Sequence, residues 1–159
     1  YSNKLGYKYD KNGNIAKNGN VNNQLLEKLN AIYYYHKPPP KSLGKEWLEK
    51  HFIPLVDMVE DTVENKLCTL VEHAAIQIGK CIKEGNCLIT GGGTFNSYLI
   101  NKIKDHSVSK FTFNNKKLIE YKEAMIFGLL GVLHKENKIN CLASVTGAKR
   151  NSSTGKYFG

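Results

Sequence analysis

The chain has 159 residues, 41% of them hydrophobic and 23% charged, the length and balance of about one globular domain able to bury a core. Its longest apolar stretch, residues 124–133, is too short to cross a bilayer, which takes about 20 residues, so no membrane partner is expected. The 23 Lys and Arg exceed the 14 Asp and Glu by nine. Lysines are nevertheless spread along the whole length, Arg150 is the one arginine, and no basic block alternates with aromatics, so no nucleic-acid partner is expected.

The chain opens on Tyr1 rather than methionine, and its first residues are polar and lysine-rich. They lack the apolar core of a signal peptide. A cytoplasmic location and a piece of a longer protein are the expectations. Residues 1–21 read as irregular or mobile, with Asp10-Lys11-Asn12-Gly13 as a tight turn. Asn22 then caps a short helix whose apolar face is Leu25, Leu26 and Leu29. Three prolines, Pro38, Pro39 and Pro40, impose an extended path, after which Ser42 is expected to cap a helix carrying Trp47 and Leu48. This stretch reads as a rigid connector, or else as a loop holding Lys41 and Ser42 toward a ligand.

The clearest helix runs over 66–82, with Leu67, Leu70, Val71, Ala74, Ala75, Ile78 and Ile82 at helical spacing. Ala74, Ala75 and Gly79 leave room there for close packing. A strand at 87–90, a helix at 96–104, a strand at 108–113 and a helix at about 118–133 follow. Glu123 sits beside the apolar end of that last helix, either as a solvated first-turn residue or as a buried acid facing a ligand. Residues 141–148 read as a short strand and turn, and the tail from Lys149 as loose. Helices alternating with strands indicate an α/β fold.

The chemistry centres on Cys87-Leu88-Ile89-Thr90-Gly91-Gly92-Gly93-Thr94-Phe95-Asn96. A strand enters three glycines and a helix leaves them. Glycine allows positive φ and close approach of a bulky ligand, and the amides opening the next helix face any phosphate in the turn. The alternative is a turn that is glycine-rich for close packing alone. A P-loop is excluded, because its Gly-Lys-Ser/Thr ending is replaced by Phe95-Asn96. The dinucleotide fingerprint fails too. Asn96 stands where its last glycine belongs, and the stretch 110–115, about 20 residues on, lacks the ribose-binding acid.

Cys68, Cys81, Cys87 and Cys141 form no Cys-x-x-Cys pair, and the five histidines are scattered. Cysteines buried in a reduced compartment, with no metal site, are the expectation.

Three blocks in this order resemble the anhydro-N-acetylmuramic acid kinases: residues 37–46 around Pro38-Pro39-Pro40-Lys41-Ser42, the glycine turn of residues 89–96, and the closing Leu142-Ala143-Ser144-Val145-Thr146-Gly147-Ala148. Residues 9–16 and 123–127 are similar as well. The resemblance covers nearly the whole chain. It implies one ribonuclease-H-like lobe of the actin-like ATPase and sugar-kinase fold, a mixed sheet with packed helices, spanning 1–159 as a single C-terminal lobe. It implies ATP and Mg²⁺ as cofactors. The implied reaction phosphorylates 1,6-anhydro-N-acetylmuramic acid while water opens the anhydro bridge, in peptidoglycan recycling. Gly91, Gly92, Gly93 and Asn96 then belong to the adenosine side of the nucleotide site, and Glu123 faces the sugar.

The family's phosphate loop, its Asp-x-Gly-Pro-Gly-Asn block and its general-base aspartate are not found in this sequence. The chain therefore reads as half of a kinase, without catalytic residues or metal ligands of its own and inactive in isolation. Its partners are then the missing N-terminal lobe and, through the apolar surface that lobe would cover, a second copy of itself. A non-catalytic nucleotide- or partner-binding module is the competing reading.

Overall fold

A computed structural model describes residues 1–82, 84–113 and 116–156. Two compact units divide the chain: residues 1–37 with 43–114, and residues 38–42 with 115–159.

The first unit is organised around one long helix. Short helical turns at Ser2–Leu5 and Lys11–Gly13 lead into α1 (Asn14–Lys17) and α2 (Asn23–Asn30). Asn22 caps α2 by accepting the Leu25 amide at 3.0 Å, and Leu25 and Leu29 are fully buried. Ser42 caps nothing. Leu43 and Gly44 stay extended, with Gly44 at φ −100° and ψ 166°, so α3 (Lys45–Trp47) begins beyond the reach of the Ser42 hydroxyl. A π turn at Leu48–Phe52 and α4 (Ile53–Asp57) follow, and Val56 joins Leu25 and Leu29 in one apolar cluster.

The long helix α5 (Val63–Cys81) is capped by Thr62, whose hydroxyl accepts the Asn65 amide at 3.2 Å. Beside it Asp61 accepts Asn22 Nδ2 at 2.8 Å and Asn65 Nδ2 at 2.7 Å, which holds its carboxyl below the usual range. The most deeply buried positions of α5 are Lys66, Cys68, Thr69, His73, Ala75 and Gly79. The apolar stripe expected from periodicity is only partly the packed side: Ala75 is fully buried, and Leu70 and Ile82 pack against the apolar clusters. Leu67, Leu70, Val71 and Ala74 are half-buried, and Ile78 is exposed. Cys81 also departs from expectation, lying exposed while Cys68 is buried. Two residues past Gly79 it points about 200° around the helix, away from the packed side.

His73 explains how polar side chains come to be buried there. Its Nδ1 donates to Asn30 Oδ1 at 3.0 Å, an oxygen that also accepts Gln77 Nε2 at 2.7 Å. The rings of Tyr35 and Phe52 lie 4.9 and 5.5 Å away, and Nε2 is buried without a hydrogen-bond partner. Protonation would bury an unpaired N–H. Burial, reinforced by Lys80, accordingly pulls the imidazole from 6.5 to about 4. The unfolded chain then takes up a proton near 6.5 and the folded chain only near 4. This contribution to stability is complete above the first value and lost as pH falls toward the second. The urea midpoint of the chain is expected to drop between neutral pH and about pH 5, and to drop less in His73→Gln.

β1 (Asn86–Ile89) and β2 (Lys110–Phe113) pair in parallel, with Asn86 opposite Lys110 and Ile89 opposite Phe113. Parallel strands need a crossover, and α6 (Ser97–Asp105) lies between them in sequence. Among the described residues the sheet has these two parallel strands, where a mixed sheet was expected. Ala75, Ile100 and Ile103 form the second apolar cluster, with Ile82, Ile89, Leu99 and Phe111 against it. Gly79 makes the α5–α6 approach close, since a Cβ there would lie 2.5 Å from the His106 carbonyl oxygen. Glu72 pairs across the seam with Lys102 at 2.9 Å and His106 at 2.6 Å. Burial pushes its carboxyl up, but these two partners more than offset that and hold it below the usual range.

The second unit holds α7 (Lys116–Lys135) and α8 (Ala143–Thr146). No described residue of α7 is buried. Residues 141–148 differ from the expected strand. Only Cys141 makes a bridge, antiparallel to Ser152. Asn151 Oδ1 then accepts the Ala143 amide at 2.7 Å, and Gly147 at φ 73° closes the helical turn between them.

Candidate functional site

The glycine turn begins where β1 ends. Gly91 has φ 90° and ψ 169°, a conformation open to glycine and strained for other residues. Gly92–Phe95 makes one 3-10 turn, with the Thr94 amide donating to Gly91 O and the Asn96 amide to Gly93 O, both at 3.0 Å. Asn96 then caps α6, its Oδ1 accepting the Leu99 amide at 3.0 Å. Close packing does not account for these glycines. A Cβ added at Gly91, Gly92 or Gly93 would meet nothing within 4 Å. Strain selects glycine at Gly91, whereas Gly92 and Gly93 border open space.

A second turn lies against the first. Both carboxylate oxygens of Asp10 accept amides of α1, from Ile15 at 2.8 Å and Ala16 at 3.0 Å. Asn12 and Gly13 follow in the left-handed region at φ 59° and 73°, as the expected tight turn requires. Ser97 Oγ donates to Asn12 O at 3.3 Å. Gly13 is buried, and a Cβ on it would stand 2.5 Å from Asn96 Oδ1 and 2.6 Å from Tyr98 Cβ. Residues 9–12 thus face Gly92, Phe95 and Asn96 across a cavity of about 370 Å³.

This second wall escapes sequence reading. The Asp10–Gly13 turn is legible by itself, but nothing local says that it seats on a cap more than eighty residues later. On the other side of the glycine turn, the Thr90 and Thr94 hydroxyls are buried without partners. They border an apolar cavity of about 340 Å³ lined by Ile78, Cys87 and Leu99 among others.

Gly91, Gly92, Gly93 and Asn96 are therefore brought together in the first unit. Glu123 lies on α7 in the second, exposed and well inside the helix rather than in its first turn. Lys41 and Ser42 lie in the extended segment of that unit. The one carboxylate lining this cavity, Asp10, is committed to the α1 amides, and no group of three His, Cys, Asp or Glu suited to a metal occurs among the described residues.

Fold and site define an α/β protein in which a glycine-rich strand-to-helix turn opens on a cavity. The profile of the family described as anhydro-N-acetylmuramic acid kinase matches residues 1–159, and the chain belongs to that family. It is 33% identical to an anhydro-N-acetylmuramic acid kinase of Saccharophagus degradans, the match covering 96% of this chain and 44% of the relative. The corresponding protein of Shewanella amazonensis is 29% identical over 94% of this chain and 43% of its own length. That of Coxiella burnetii is 31% identical over 97% and 44%. The chain thus spans less than half the length of the curated relatives it matches. No helix among the described residues is long and apolar enough to cross a membrane.

Proposed function

We propose that this chain is the C-terminal, adenosine-side lobe of an ATP-dependent sugar kinase, with a ribonuclease-H-like core. Its reaction transfers phosphate to 1,6-anhydro-N-acetylmuramic acid as water opens the anhydro bridge, a cytoplasmic step in peptidoglycan recycling. The observation that carries this reading is a glycine turn with open space above it, bordering a cavity, in a member of this kinase family. Gly91, Gly92, Gly93 and Asn96 are its nucleotide contacts, and Glu123 is a sugar contact.

Phosphoryl transfer needs metal ligands, a phosphate cradle and a base to activate the attacking water. The acids described above have other commitments. Asp10 caps α1, Asp61 is held by two asparagines, and Glu72 pairs with Lys102 and His106. The groups that act on the γ-phosphate are therefore assigned to an N-terminal lobe, which the relatives' greater length can supply. Apolar residues exposed along α7, such as Met125, Phe127 and Leu129, are surface that this lobe or a second copy covers.

Alone, the chain is expected to transfer no phosphate from ATP to the anhydro sugar. Mixed with the N-terminal half of the Saccharophagus degradans relative, it is expected to gain activity. Turnover by the chain alone would refute the division of labour. The competing reading, a non-catalytic nucleotide-binding module, is favoured by the commitment of Asp10; it predicts ADP binding with no activity in any such mixture.

A further inference from the structure

Two aromatic rings line the cavity beside the glycine turn, and neither belongs to the apolar clusters of the fold. Tyr9 is 64% exposed and Phe95 48% exposed. They come from opposite walls of the cavity, and the seating of Asn12 and Gly13 on Ser97 and Asn96 fixes those walls relative to each other. Gly92 lines the same cavity, and a Cβ added there would meet nothing within 4 Å. Two exposed rings on one cavity suit a flat heteroaromatic ring, because base–aromatic stacking is favourable for any base.

Charge points the same way. Lys11 lines the cavity and forms no ion pair among the described residues, while the Asp10 carboxylate is satisfied by two amides. The cavity therefore offers a cation and no free acid to a ligand that is aromatic at one end and anionic at the other. We propose that Tyr9 and Phe95 clamp the flat base of a nucleotide, making the turn before α1 the outer wall of the nucleotide site. The clamp rests on the reading of the glycine turn as a nucleotide contact, and adds to it a base-recognition role for residues outside that turn.

The test is an NMR titration of the labelled chain with AMP and, separately, with ribose 5-phosphate. AMP is expected to shift the Tyr9 and Phe95 ring resonances together with the Gly92 amide; ribose 5-phosphate should leave both rings unmoved. Tyr9→Ala should weaken AMP binding about tenfold, and Tyr9→Phe should stay within about twofold of the parent, since stacking needs the ring and not the hydroxyl. Tyr9 is exposed, so both variants keep the core intact. Glycine shifts with unchanged affinity in Tyr9→Ala would overturn the clamp and leave the nucleotide reading standing. Equal binding of ribose 5-phosphate and AMP would do the same. An AMP titration that moves nothing overturns both.

Discussion

Gly13→Ala is expected to destabilise the chain by about 2–3 kcal/mol and to weaken the proposed nucleotide binding with it. A non-glycine residue in the left-handed region costs about 1–2 kcal/mol. The new methyl would also stand 2.5 Å from Asn96 Oδ1, so Asn96 must move off the Leu99 amide, and losing a helix cap costs about 1 kcal/mol more. Displacing Asn96 separates the two walls of the cavity. Gly92→Ala is the informative contrast. Its methyl meets nothing within 4 Å, so stability should stay within about 1 kcal/mol of the parent, while the methyl occupies space offered to the ligand. Urea denaturation of the two variants, with ADP binding measured beside it, separates the roles. A Gly13→Ala chain as stable as the parent would mean that the Asp10–Gly13 turn is not seated on α6.

Leu29→Ala is expected to cost about 2–5 kcal/mol, since truncating a fully buried leucine forfeits transfer free energy and leaves a cavity. Leu29 is 0% exposed and lies with Leu25 and Val56, with Phe52, Leu55 and Leu70 packed around them. Such a loss is a large share of the roughly 5–15 kcal/mol of an ordinary domain. Leu26, on the same helix but only half-buried, should cost about 1 kcal/mol when shortened in the same way. The ratio of the two urea midpoint shifts reports whether α2 docks through the Leu25–Leu29 edge. Equal shifts would place the helix in a different rotation.

Local chemistry was legible in the sequence wherever one segment contains its own cause. Asn22 and Leu25 form a cap within a single turn, the Asp10–Gly13 turn carries its own left-handed residues, and the strand–glycine–helix order around Gly91 stands as read. Long-range causes were not legible. The helix at α5 was clear, but its packed side is set by Asn30, Tyr35 and Phe52 meeting His73, and a buried polar network leaves no mark on hydrophobic periodicity. Ser42 looked like a cap because serine commonly is one; two extended residues moved the helix start beyond it. Residues 141–148 read as a short strand and turn, yet a single asparagine, Asn151, holds the Ala143 amide and the segment makes a helical turn in place of the strand. The glycine turn declared the first wall of the site, and the second wall needed the fold.

The measurement that bears most directly on the nucleotide reading is an amide-NMR titration of the labelled chain with ADP and Mg²⁺. Localised shifts at Gly91, Gly92, Gly93 and Asn96 are the expected result, and would mean that the proposed nucleotide surface is preformed in this chain. A well-dispersed spectrum in which none of these four amides moves would contradict it.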